Sequence, residues 1–189
     1  WGYRTVRDNN AVALARTPVF DSLMKSQPHS LLSASGTDVG LPYGQVGNSE
    51  VGHMNIGAGR VVVQDLPRIN EAVADGSLAA HDALTNLART LNDSGGTAHV
   101  MGLLSPGGVH AHQDHFLAVI TGLVKADVPV AIHGFTDGRD TLPTAAKHDL
   151  PRFLEAIPDG AKVASIIGRY FAMDRNNRWE RTQAAYDAI

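Results

Sequence analysis

From His99 onward the chain alternates short apolar runs with longer amphipathic ones, and this alternation constrains the fold more than any other feature. Residues 99–104, 128–133 and 162–167 read as strands. Residues 113–125 and 144–157 carry the spacing of helices. A helix between each pair of strands makes neighbouring strands parallel, so the expected fold class is α/β with crossover helices. The polar clusters all fall just after the strands, at 105–115, 134–141 and 168–181. Open α/β sheets bind their ligands at that edge.

The first sixty residues follow a different pattern. Two short helices are expected at 10–16 and 18–26, because Pro18 suits a first helical turn and would break an interior. Residues 29–34 form a candidate strand, and 60–66 a strand or extended connector. Helices are expected at 66–74, ending at Gly76, and at 80–92, closed by Ser94-Gly95-Gly96. Between the 29–34 and 60–66 segments lies LPYGQVGNSEVGHMNIGAGR, residues 41–60, with five glycines in twenty residues. Glycine permits positive φ and close approach of backbone to a ligand, so a loop presenting Ser49 is the preferred reading. If 50–55 begins a helix, the Ser49 hydroxyl lies at its amino end, where unpaired N–H groups favour an anion. His53 and Asn55 would then face the same place. Ser49 is accordingly a nucleophile or anion contact, with a plain helix cap as the competing role.

With 189 residues, 43% of them hydrophobic, the chain suffices for one domain or two small ones. A formal charge of -3 provides no basic field for nucleic acid and no membrane-binding patch. An anionic ligand must be held by local arginines. There is no cysteine, which excludes disulfides and thiolate metal sites and fits a reducing compartment. No apolar run approaches a membrane span, and no signal pattern opens the chain. A cytoplasmic location is expected.

Three clusters carry chemistry. SPGGVHAHQDH places His110, His112, Asp114 and His115 in an H-x-H-x-D-H pattern that suits a binuclear zinc hydrolase, with His133, Asp137 and His148 as possible further ligands. Alternatively Asp114 and His115 cap or pair at a helix start and only His110 is functional. HGFTDGRDT packs Asp137, Arg139 and Asp140 around Gly138, either as a ligand contact or as a self-satisfied surface turn. GRYFAMDRNNRWER supplies Arg169, Arg175, Arg178 and Arg181, whose planar forks match carboxylate and phosphate oxygens. The last three can equally lie along one exposed helical face, and Trp179 reads as a core residue.

The runs GQVGNSEVGHMNIGAGR, LLSPGGVHAHQDH, FTDGRDT and GRYFAMDRNNRWER, in this order and spacing, resemble the cofactor-independent (2,3-bisphosphoglycerate-independent) phosphoglycerate mutases. The resemblance runs from Trp1 to Ile189. Its departures, at Tyr43, Ala111 and Leu142, touch no charged group. It implies a glycolytic and gluconeogenic isomerase, an intramolecular phosphotransferase that interconverts 3-phosphoglycerate and 2-phosphoglycerate through a phosphoserine, with two manganese ions.

Carried over residue by residue, the resemblance makes Ser49 the nucleophile and itself a manganese ligand. His110 would contact the substrate phosphate, Arg139 and Asp140 the glycerate, and Arg169 and Arg175 the carboxylate or phosphate oxygens. The other metal ligands are implied to lie before Trp1 and in a long carboxyl-terminal portion. Residues 1–63 would be the first segment of an alkaline-phosphatase-like metal domain, and 64–189 most of an inserted α/β transferase domain, truncated at its carboxyl end. The enzyme is expected to be a monomer acting on small molecules, without nucleic acid or membrane partners. This chain by itself is expected to be poorly soluble and without mutase turnover. The alternatives are the zinc hydrolase and a non-catalytic module that binds phosphorylated acids through Arg139, Arg169 and Arg175.

Overall fold

The computed structural model describes residues 2–189; Trp1, the first residue of the expected metal-domain segment, lies outside them. The chain divides into two compact units, Trp1–Val63 and Gln64–Ile189.

The first unit is helical and thinly packed. Asn10 opens α1 (Ala11–Leu14) by accepting the Ala13 N–H, and Pro18 begins α2 (Pro18–Ser26), as the sequence suggested. Residues 29–34 form no strand. All the strands among the described residues belong to the second unit, so this apolar run has no neighbour to pair with, and Leu31 and Leu32 are exposed. A tight turn at Gly36–Val39 ends in Gly40, at φ 81°. A Cβ there would lie 2.2 Å from the Val62 carbonyl oxygen, so only glycine fits.

The serine segment is a helix rather than a loop: α3 spans Ser49–Ala58 and closes on Gly59 in the left-handed region. Interior glycines each cost about 1 kcal/mol. Capping and burial offset that cost, since the Asn48 side chain accepts the Val51 N–H at 3.0 Å and Val51 joins Val39 and Leu41 in a small core. Asn55 does not face the same place as Ser49. It donates to the Val39 carbonyl at 3.0 Å and accepts the Val62 N–H at 2.8 Å, tying three segments together.

The second unit is the expected α/β layer. Helix α4 (Asp65–Ala74) and α5 (Asp82–Ser94) precede β1 (Ala98–Leu104), α6 (Gln113–Lys125), β2 (Val130–Thr136), α7 (Ala146–Ala156), β3 (Ala161–Gly168), α8 (Arg169–Ala172) and α9 (Trp179–Asp187). The strands form one parallel sheet in the order β1-β2-β3. Ile120 and Leu123 of α6 and Phe153 of α7 pack with Ala98, Leu104, Val130, Ile132 and Ala161 of the strands, so both crossover helices cover the same face. Ile120 and Ile132 are fully buried. Trp179 takes no part in this core and is 73% exposed, because α9 begins with it on a solvent-facing side.

Candidate active site

The carboxyl edge of the sheet is built around Asp137, the residue that follows β2. Its Oδ2 accepts the Ser105 hydroxyl at 2.6 Å, while Oδ1 accepts Arg169 Nη1 at 2.8 Å and the N–H groups of Arg139 and Asp140 at 3.0 and 3.1 Å. Burial works to raise the Asp137 pKa. The Ser105 hydroxyl, the two N–H groups and the Arg169 guanidinium outweigh burial and hold the carboxyl well below the usual carboxylate range. The turn 137–140 is therefore not a self-satisfied surface turn. It is organised by a carboxylate whose side chain is only 3% exposed.

Arg169 donates a second bond to Asp140 Oδ2 at 2.7 Å. Burial works against its charge, and the two carboxylates prevail and raise its pKa. His110 Nε2 lies 3.8 Å from the same Asp140 oxygen. Three residues from the sequence expectation, His110, Asp140 and Arg169, thus meet at one point.

Beside them opens a pocket of about 470 Å³ between the 137–139 turn and residues 168–181. Asp174 organises its far wall by accepting the N–H groups of Asn176 and Arg178 and, at 3.0 Å, Arg181 Nη1. The Arg178 N–H leads the contacts that lower the Asp174 pKa. Arg181 also stacks 3.9 Å above the Tyr170 ring. Arg175 and Arg178 precede α9, so the arginines do not form one helical face. Arg169 and Arg181 are paired with carboxylates; Arg139 and Arg175 line the pocket, are exposed, and hold no ion pair among the described residues. Two planar cations thus remain available to an anion.

The H-x-H-x-D-H pattern does not converge. His112 Nδ1 accepts the Asp114 N–H and caps α6, and His115 Nε2 contacts Asn70 Oδ1 at 2.6 Å. His110 turns instead to Asp140. Helix capping has consumed the spacing that suggested zinc. Among the described residues no group of three or more His, Cys, Asp or Glu side chains is placed to hold a metal.

Ser49 stands at the first position of α3, exposed, with Asn48 in the capping role. Its Oγ is 3.1 Å from His53 Nδ1, which is also 2.7 Å from the Ser49 carbonyl oxygen. A carbonyl only accepts, so Nδ1 carries the hydrogen and offers Ser49 no lone pair. In this arrangement His53 donates to the Ser49 carbonyl and does not take the hydroxyl's hydrogen. The implied manganese ions would find in Ser49 a single oxygen, and the described residues alone do not fit two such ions.

Residues 69–189 match the family model described as BPG-independent PGAM N-terminus. The chain belongs to this family. Over its full length it is 55% identical to the 2,3-bisphosphoglycerate-independent phosphoglycerate mutase of Gluconobacter oxydans and 53% identical to that of Rhodopseudomonas palustris, covering 37% and 38% of those proteins. It therefore spans little more than a third of the curated relatives it matches. A crystal structure of Leishmania mexicana phosphoglycerate mutase at low cobalt concentration matches 94% of the chain and 34% of its own length, with TM-score 0.66 and 33% identity.

Sequence reasoning missed Ser105 and Asp174, and it named Asp137 without the role it takes. Ser105 follows β1 as Asp137 follows β2, so its position after an apolar run was the available signal.

Proposed function

We propose that the chain is the amino-terminal part of a phosphoglycerate mutase that interconverts 3-phosphoglycerate and 2-phosphoglycerate in glycolysis and gluconeogenesis. Family membership supports the reaction class. The observation that carries the substrate is the pocket at the carboxyl edge, where Arg169 is fixed by two carboxylates and Arg139 and Arg175 remain unpaired.

In this reading Arg169, Arg139 and Arg175 hold the carboxylate and phosphate oxygens, His110 touches the phosphate, and Asp140 accepts a glycerate hydroxyl. Ser49 Oγ takes the phosphoryl group: its bond to phosphorus forms as the bond to the substrate oxygen breaks. The glycerate then turns, its other hydroxyl oxygen takes the group back, and the Ser49 hydroxyl is restored. Water must be excluded meanwhile, or the phosphoserine would be hydrolysed. A serine hydroxyl is a weak nucleophile at neutral pH, and manganese would supply the missing acidity. Its remaining ligands would come from chain beyond these residues. Residues 1–63 then belong to an alkaline-phosphatase-like metal domain and 64–189 to the inserted transferase domain, in a monomeric cytoplasmic enzyme.

The test is a chimera in which this chain replaces the matching stretch of the Gluconobacter relative, keeping the relative's residues on both sides of it. Manganese-dependent conversion of 3-phosphoglycerate is expected, with loss of conversion and of phosphoserine on Ser49→Ala. The chain without those flanking residues is expected to show no turnover. Undiminished turnover by the Ser49→Ala chimera would overturn the reading.

A further inference from the structure

Asp137 receives its two side-chain partners from the neighbouring strands. Throughout β1 and β2 the paired residues differ by 32 in number, as in Ala98 with Val130, and Ser105 lies 32 before Asp137. Arg169 lies 32 after it. Yet β2 and β3 begin with an offset of 31, from Val130 with Ala161 to Ile132 with Val163, and change to 32 only at His133 with Ser165. Ala164 is the extra residue, a β-bulge. Without it Gly168 would take the place of Arg169 beside Asp137, and a one-residue slip turns side chains to the other face of a sheet.

At the first pair of the new register, His133 Nδ1 is hydrogen-bonded to Ser165 Oγ at 2.9 Å. His133 is 3% exposed, so its ring nitrogens need partners inside the protein. Nε2 meets His99 Nδ1 at 2.9 Å on β1. In the slipped register Ala164 would stand opposite His133, and Ala164 has no group to satisfy Nδ1. The two registers are thus unequal at this one pair.

We infer that Ser165, acting through the His133 imidazole, is a positioning residue: the pair selects the bulged register that brings Arg169 to Asp137. The inference deepens the proposed function by naming what assembles its anion site, and its use in substrate binding rests on that reading. The contact itself lies within the sheet, between two residues that are not assigned to substrate.

The test compares four variants of the 15N-labelled chain by NMR, following the amides of Arg139 and Asp140 that donate to Asp137, and by titration with 3-phosphoglycerate. Ser165→Ala and His133→Gln, which lose the Ser165 bond, are expected to move both amides and weaken binding about tenfold. His133→Asn keeps an amide group where Nδ1 stood and is expected to restore both toward wild type. His99→Ala is expected to leave both unchanged. Native amide positions in Ser165→Ala overturn the inference. If that variant does not fold, His133→Asn behaving no better than His133→Gln overturns it instead. A wild-type chain that shows these amide responses but binds no 3-phosphoglycerate contradicts the functional reading and leaves the register pin standing.

Discussion

The two units place their chemistry in opposite ways. In Gln64–Ile189, Asp137 and Asp140 come from the turn after β2 and Arg169 from the start of α8, and they fix one another over a continuous core. In Trp1–Val63 the reactive candidate, Ser49, is fixed only by its own helix, over a core whose buried cluster is Val39, Leu41 and Val51. Leu14, Val19, Leu23, Leu32, Tyr43 and Ile56 of that unit are all more than half exposed. The second unit assembles a pocket lined by paired and unpaired arginines from its own residues. The first presents one hydroxyl and leaves apolar surface of the sort that other protein covers.

The sharpest way to break this contrast is Asp137→Ala. It strands the buried Ser105 hydroxyl, half of the largely buried Arg169 pairing and two backbone N–H groups, and is expected to cost about 3–5 kcal/mol in urea unfolding of the second unit. A loss below about 1 kcal/mol would mean that the cluster is ornamental. The same group sets a pH dependence. Its folded pKa lies below the unfolded value of 3.8, so its contribution is full above about pH 4 and is lost as pH falls through the folded pKa. Asp137→Asn should remove that acid-side component and leave stability between pH 5 and 8 without a new slope.

Core truncation comes next. Ile120→Ala, at a fully buried position, is expected to cost about 2–5 kcal/mol. Val51→Ala in the small cluster should cost about 1–2 kcal/mol. Equal losses in calorimetry would erase the distinction between the units.

Much of the second unit was legible because its period changes announce each element: residues 113–125 were bounded correctly, and the polar clusters after the strands marked the edge where Asp137 and Arg169 meet. What sequence could not supply was competition for the same groups. His112 has the spacing of a zinc ligand and the position of a helix cap, and the cap prevailed. Trp179 looked like core by type alone, but α9 turns it outward. Residues 29–34 carry strand-like residues, yet a strand is a property of pairs, and no strand partner lies among the described residues of that unit. The glycines of 41–60 suggested a loop, whereas the Asn48 cap and burial of Val51 favour a helix.

Smaller effects sharpen the comparison. Arg175→Ala should weaken 3-phosphoglycerate binding about tenfold in calorimetric titration, with unfolding unchanged, because this exposed arginine holds no ion pair among the described residues. Asn48→Ala should cost about 1 kcal/mol through loss of the α3 cap. Ser49→Ala should lie within about 0.5 kcal/mol of wild type. A Ser49→Ala loss as large as that of Asn48→Ala would return Ser49 to a structural role.

The division of labour is tested most directly by titrating the 15N-labelled chain with 3-phosphoglycerate in the absence of metal. The account predicts saturable shifts in the amides of residues 137–140 and 168–175, with those of 48–53 unmoved. Saturation confined to 48–53, or no saturable shift in the second unit, would contradict it.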